Sequence, residues 1–335
     1  MRWDELRVER DERLPGIGDG AVVRTFDAPE AMGIRFHEVR AKSVLNHVPG
    51  GRFGFNWTVN AFRGCTHACL YCFARRTHPF LGFDAGRDFE REIVVKVNTP
   101  ELLRAELGRP SWKRELVALG TNTDPYQWAE SRYRFMPEVI EALEAAQTPI
   151  SVLTKSPLVL RDIDLYERAA RMVDVSVNLS VPTVDENAWR ATEPHTPHPR
   201  ARLEAVAKLK ERGISSGVLI APLMPGINDS PEQVEPIVRM AREAGADFLG
   251  GVALHLRDEV RDVFFGWLRA KRPDLLPLYE QLYADGRAYM RAQDRARVSS
   301  VVKGWGRNRR RAKSPRGAGV AGDVPAATDA QRSLF

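Results

Sequence analysis

All three cysteines of this 335-residue chain fall within eight consecutive positions, Cys65-Thr66-His67-Ala68-Cys69-Leu70-Tyr71-Cys72, a C-x3-C-x2-C spacing. An odd, clustered set does not read as a disulfide framework. The N-terminal Met1-Arg2-Trp3-Asp4-Glu5 is charged at once and has no apolar signal segment, so the thiols are expected to bind metal in a reducing cytoplasm. Three thiolates on one tight loop ligate three irons of a [4Fe–4S] cluster, whereas most such clusters take a fourth cysteine. The chain has no fourth, so the fourth iron is open or held by something else, and an open iron can chelate the amino and carboxylate groups of S-adenosylmethionine (SAM). The competing reading is a Cys3His zinc site completed by His67 or His78. Zinc sites usually pair C-x2-C with a second, distant pair, and this chain lacks one.

The motif sits at the head of an alternating array. Short apolar runs at Trp57–Phe62, Leu116–Gly120, Ile150–Thr154, Val173–Leu179, Ser216–Ala221 and Phe248–Leu254 are separated by amphipathic stretches, the pattern of parallel βα units. Ser230-Pro231-Glu232-Gln233 is a capping box with proline at the first helical position. Leu203, Val206 and Leu209 form an apolar stripe that stops at Gly213. Six such units predict an α/β fold, a partial (β/α)6 TIM-like barrel, within residues 47–272. Residues 1–46 are expected to be an N-terminal extension. Residues 273–302 are expected to be a helical segment, with one helix over 274–294. Residues 303–335 are expected to be a disordered tail. No run of about 18 apolar residues suggests a membrane helix.

The neighbours of the cysteines narrow the match. Asn60-Ala61-Phe62-Arg63-Gly64-Cys65, Tyr71-Cys72-Phe73-Ala74-Arg75 and Thr123-Asp124-Pro125-Tyr126-Gln127 resemble the radical SAM superfamily, and within it the spore photoproduct lyase-related, DNA repair photolyase-like group. The resemblance covers roughly residues 50–270. It implies a radical SAM enzyme with a [4Fe–4S] cluster, SAM and an external electron donor of flavodoxin or ferredoxin type. Spore photoproduct lyase uses a further cysteine as hydrogen donor to the product radical, and this chain has none to spare.

In a barrel of this kind chemistry gathers at the C-terminal ends of the strands. By resemblance, Thr123 and Asp124 lie near the SAM amino group, and Lys155 contacts the SAM carboxylate. The plainer readings are a turn and a solvated strand-end lysine. Ser176, Asn178 and Ser180 share one face of their strand and are candidates for the ribose hydroxyls; a polar outer face is the other reading. By resemblance Tyr71 packs near the adenine, or it shields the cluster from water. Glu193 opens a proline-rich loop, Pro194-His195-Thr196-Pro197-His198-Pro199-Arg200, that borders the site or is held by a Glu193–Arg200 pair. Gly226 would let backbone approach the adenine closely. His255 is a substrate-side candidate or a half-buried structural histidine.

The charge is uneven. From Lys303 to Gly322 there are seven Lys or Arg and no acid. With Arg332, Asp323 and Asp329, the segment 303–335 carries the whole +6 of the chain, which leaves residues 1–302 formally neutral. Such a tail suits nonspecific contact with nucleic acid phosphates, or is only a solvated, solubilising segment. The leading expectation is a radical SAM enzyme of unidentified substrate, with nucleic acid the leading substrate class through the resemblance and the tail. The alternatives are a radical SAM enzyme acting on a protein or small metabolite, and a metal-containing nucleic-acid-binding protein without radical chemistry.

Overall fold

The computed structural model describes residues 6–11, 21–48 and 54–303. In chain order the strands are β1 (Leu6–Asp11), β2 (Ala21–Phe26), β3 (Arg35–Val39), β4 (Leu45–His47), β5 (Trp57–Val59), β6 (Phe62–Arg63), β7 (Glu92–Lys96), β8 (Val117–Leu119), β9 (Ile150–Thr154), β10 (Val175–Ser180), β11 (Gly217–Leu223) and β12 (Phe248–Ala253).

The larger sheet has the order β12-β11-β10-β9-β8-β5-β4. Every pair from β5 to β12 in it is parallel, and β4 adds an antiparallel edge. With β12 and β4 as its two edges, the sheet does not close on itself among the described residues. The six βα units form the expected partial barrel. On β9 and β10 the side chains of Ile150, Val152, Val175, Val177 and Leu179 are buried in one core with Tyr166, Leu203, Val206 and Leu209 of the covering helices. The alternate residues Ser151, Leu153, Ser176 and Asn178 are only half-buried, on the opposite, concave face.

The expected first strand is cut in two. β5 ends at Val59, and β6 pairs with β7 in a second sheet of order β1-β2-β3-β7-β6. Only its β3–β7 pairing is parallel. The stretch expected as a mere extension thus supplies β1, β2 and β3, and β7 joins them through Ile93, Val94 and Val95, all fully buried. The cysteine loop leaves directly from β6, at the junction of the two sheets.

Local signals hold where geometry demands them. Ser230 Oγ accepts the Gln233 amide and caps the helix Pro231–Glu243, while the Gln233 side chain turns instead to the Ile227 carbonyl at 2.6 Å. Gly213 follows its helix at φ +72°. The single helix expected over 274–294 is instead Leu276–Leu282 and Ala292–Lys303, because Asp285 (φ +59°) and Gly286 (φ +69°) take left-handed backbone between them. The second of these packs on the edge strand β12. A Cβ on Gly251 would come within 2.7 Å of Val302, so glycine permits the close approach. Residues 304–335, nearly all of the expected tail, lie outside the described residues.

Candidate cluster and cofactor site

The cysteine loop begins at Gly64, whose φ of +82° favours glycine. A side chain there would meet the Phe89 carbonyl and Ile93 Cδ1, each at 2.8 Å. The chain then makes two tight turns, with Ala68 N–H on the Cys65 carbonyl (3.2 Å) and Cys72 N–H on the Cys69 carbonyl (3.3 Å). Ala68 sits at φ +56°, a left-handed conformation that costs about 1–2 kcal/mol for a residue with a Cβ.

Arg75 offsets that cost. Its side chain is about 2% exposed, and its guanidinium makes five hydrogen bonds. Nε reaches the Cys69 carbonyl (2.9 Å) and Nη2 the Ala68 carbonyl (3.0 Å) and Glu90 Oε2 (2.9 Å). Nη1 holds the Ala85 and Gly86 carbonyls. The planar fork therefore ties both turns of the loop to the segment before β7.

The opposite side is held by the Thr123–Gln127 stretch. Thr123 Oγ1 donates to the Gly64 carbonyl (2.7 Å), and Gln127 Nε2 donates to the same carbonyl (3.2 Å) and to Thr123 Oγ1 (2.7 Å). Gln127 Oε1 accepts the Thr66 amide at 2.8 Å. Thr123 thus turns its hydroxyl to the cysteine loop.

Cys65 and Cys69 are buried and Cys72 is half-buried. Burial pushes all three thiols up, Cys69 to about 12; the Asp124 charge and the other two sulfurs add to the effect at Cys65. Three thiolates do not share such a site without a compensating cation, which an iron–sulfur cluster supplies. Among the described residues no three His, Cys, Asp or Glu side chains come together to hold a single metal ion. His67 Nδ1 faces Asp124 Oδ2 at 3.3 Å, and His78 Nε2 donates to the Glu92 carbonyl at 2.9 Å. Three thiols on one loop, with no fourth cysteine in the sequence, are a donor set that fits a cubane with one iron left without a cysteine.

Asp124 ties the loop to the mouth of the barrel. Oδ1 accepts Thr154 Oγ1 (2.6 Å) and the Tyr126 amide (2.9 Å), and Oδ2 accepts the Lys155 amide (2.7 Å). Burial opposes ionisation of Asp124, but His67, Thr154 and the Lys155 amide outweigh it and hold the carboxyl below its usual range.

The densest cluster surrounds Glu193, which is 0% exposed. Oε1 accepts the Tyr71 hydroxyl and lies 2.7 Å from Lys155 Nζ; Oε2 lies 2.7 Å from Arg202 Nη2 and accepts Thr196 Oγ1 at 3.4 Å. Burial opposes this charge too, yet Arg202 and Lys155 bring the carboxyl down to about 2. With both oxygens taken, Glu193 faces protein and not a ligand. Its ion-pair partner is Arg202, on the buried face of the helix Pro199–Glu211, and not the exposed Arg200.

The remaining candidates separate. Lys155 Nζ also donates to Ser180 Oγ (2.8 Å) and lies 5.6 Å from the centre of the Tyr71 ring. Ser180 is buried, whereas Asn178 is half-buried and its side chain makes no hydrogen bond among the described residues. Ser176 lies deeper in the barrel, paired with Ser151 (3.2 Å). Gly226 takes a φ of +75°, and a Cβ there would stand 2.7 Å from Leu275, so the close approach it permits is to a side chain. His255 stacks on Tyr289 with ring centroids 4.2 Å apart. Sequence reasoning gave no role to Arg75, Gln127 or Arg202.

The chain matches the Radical SAM superfamily over residues 59–252, from the last residue of β5 into β12. An uncharacterized protein of Mycobacterium tuberculosis (strain ATCC 25618 / H37Rv) is 46% identical over 293 residues, 85% of this chain and 86% of that one. An uncharacterized protein of Acidianus two-tailed virus is 30% identical over 226 residues, 64% of this chain and 74% of that one. Spore photoproduct lyase complexed with dinucleoside spore photoproduct superimposes with a TM-score of 0.61 at 16% identity, over 81% of this chain and 78% of that chain. A variant of that lyase with bound AdoMet and dinucleoside spore photoproduct gives the same TM-score over 80% and 77%.

The chain belongs to the radical SAM superfamily. It is an enzyme of the class that works with a [4Fe–4S] cluster and SAM and draws electrons from an external donor, and it shares its fold with spore photoproduct lyase. Among the described residues no helix is long and apolar enough to cross a membrane.

Proposed function

We propose that Cys65, Cys69 and Cys72 hold the cluster, that SAM sits at the adjoining strand ends with its carboxylate on Lys155, and that the substrate is a nucleic acid. A cytoplasmic donor of flavodoxin or ferredoxin type is part of the same reading. When bound and reduced, the cluster supplies one electron that cleaves SAM to methionine and a 5′-deoxyadenosyl radical.

The observation that carries the cofactor reading is the charge of the buried group beside the cysteine loop. Lys155 and Arg202 are two cations around one carboxylate, Glu193. The excess positive charge suits a ligand carboxylate. An ammonium has three N–H donors; Lys155 spends two on Glu193 and Ser180. Asn178, with a free amide near the mouth, suits a ribose hydroxyl. Thr123 and Asp124 act mainly by fixing the loop and the Lys155 backbone.

Lys155→Ala is expected to weaken SAM binding roughly 10- to 100-fold, the equivalent of about 1.5–3 kcal/mol for a hydrogen bond to a charged group. Iron content should stay intact, because Arg75, Gln127 and Thr123 hold the loop independently. Equilibrium binding of SAM to the reconstituted protein measures this, and unchanged affinity would remove Lys155 from the site.

The nucleic-acid reading rests on the fold shared with a lyase complexed with a dinucleoside photoproduct, and on the seven basic residues between Lys303 and Gly322. Deleting residues 304–335 is expected to abolish salt-dependent binding to oligonucleotides while leaving iron content unchanged. Equal affinity with the same salt slope would assign binding to the body instead. The substrate is tested by anaerobic turnover with damaged or modified oligonucleotides, with peptides and small metabolites in parallel. Substrate-stimulated 5′-deoxyadenosine is expected with the oligonucleotides, and stimulation only by the others contradicts the proposal. No cysteine outside the motif exists to return a hydrogen atom, so the product radical needs another donor than in spore photoproduct lyase.

A further inference from the structure

We infer that Tyr71, Glu193 and Lys155 form a buried relay coupling the ligand carboxylate site to the cysteine loop, with Glu193 a positioning residue. The inference rests on the reading that Lys155 holds the SAM carboxylate.

Three observations converge on it. First, one carboxylate oxygen of Glu193 takes both the Tyr71 hydroxyl, from between Cys69 and Cys72, and the Lys155 ammonium, from the end of β9. Second, the neighbouring backbone is tied in the same place, since the Leu70 amide donates to the Thr192 carbonyl at 3.0 Å. The loop is therefore fastened at two successive residues, 70 and 71, to two successive residues, 192 and 193. Third, Glu193 is fixed from behind. Arg202 is fully buried and binds the Pro197 carbonyl twice (3.0 and 2.8 Å), the Ser180 carbonyl (2.9 Å) and Thr196 Oγ1 (2.6 Å) besides Glu193.

The exposures give the relay a direction. The Lys155 side chain is 14% exposed, and those of Glu193 and Arg202 are 0%. A ligand meets the group at Lys155. A bound carboxylate restrains the long lysine side chain, which then restrains the shared Glu193 oxygen and, through it, the Tyr71 hydroxyl and the loop. Such coupling is reciprocal: a loop ordered by its cluster presents a better-placed Lys155 to the ligand.

A double-mutant cycle on the cluster-loaded, unreduced full-length protein tests this, with SAM affinity and iron content as readouts and no turnover required. Tyr71→Phe removes only the hydroxyl. It should retain iron and weaken SAM binding about 5-fold or more, the low end of typical site–site coupling. In a Lys155→Met background the same change should cost less than about 2-fold, since the relay is already broken. Equal losses from Tyr71→Phe in both backgrounds, or no loss in either, would overturn the relay while leaving Lys155 as the carboxylate ligand. If Lys155→Met alone binds SAM normally, the reading of Lys155 fails and the relay fails with it.

Discussion

Replacing any one of Cys65, Cys69 and Cys72 by alanine is expected to cut the iron of the reconstituted protein from about four atoms per chain to well under one. On the proposed ligand set each thiolate would hold its own iron, so removing one would leave only two protein ligands. No other cysteine exists to substitute. Iron and sulfide assays with the visible absorption band measure the effect. Full iron and an undiminished brown chromophore in any single variant would contradict the ligand set.

The second large effect is expected at Arg75. Arg75→Met leaves the Cys69, Ala68, Ala85 and Gly86 carbonyls and Glu90 without their shared donor. Breaking a buried charged group of this kind typically costs about 3–5 kcal/mol. The strained Ala68 turn loses its restraint at the same time, so iron loading should fall with stability. Arg75→Lys should rescue little, because one ammonium cannot span carbonyls arranged around a planar fork. Denaturant midpoints and iron content, measured on both variants, check this. A stable Arg75→Met protein with wild-type iron would show that the loop holds itself.

These two predictions mark where the sequence speaks and where it falls silent. The cysteine motif is local, and its chemistry depends on spacing alone. The barrel strands are contiguous apolar runs, so their order could be read directly. The second sheet could not, because it gathers β1, β2, β3, β6 and β7 from separate stretches and splits an apparently single strand at Val59. The run Ile93-Val94-Val95 carried a usable strand signal. Arg75 looks like any surface arginine until the backbone carbonyls around it are known. Arg202 stands two residues beyond Arg200, the partner in one of the two readings for Glu193, and helix phase puts Arg202 on the face of Leu203 and Val206, inside the fold. A buried ion pair is a tertiary fact, set by how that helix packs against the end of β10.

The central claim is that this cluster site cleaves SAM by electron transfer, and its most direct test is product formation without substrate. The anaerobically reconstituted protein, reduced and mixed with SAM, is expected to release 5′-deoxyadenosine and methionine slowly. Lys155→Ala should release less at the same iron content. A fully loaded, demonstrably reduced cluster that yields no 5′-deoxyadenosine, with or without oligonucleotide, would contradict the account.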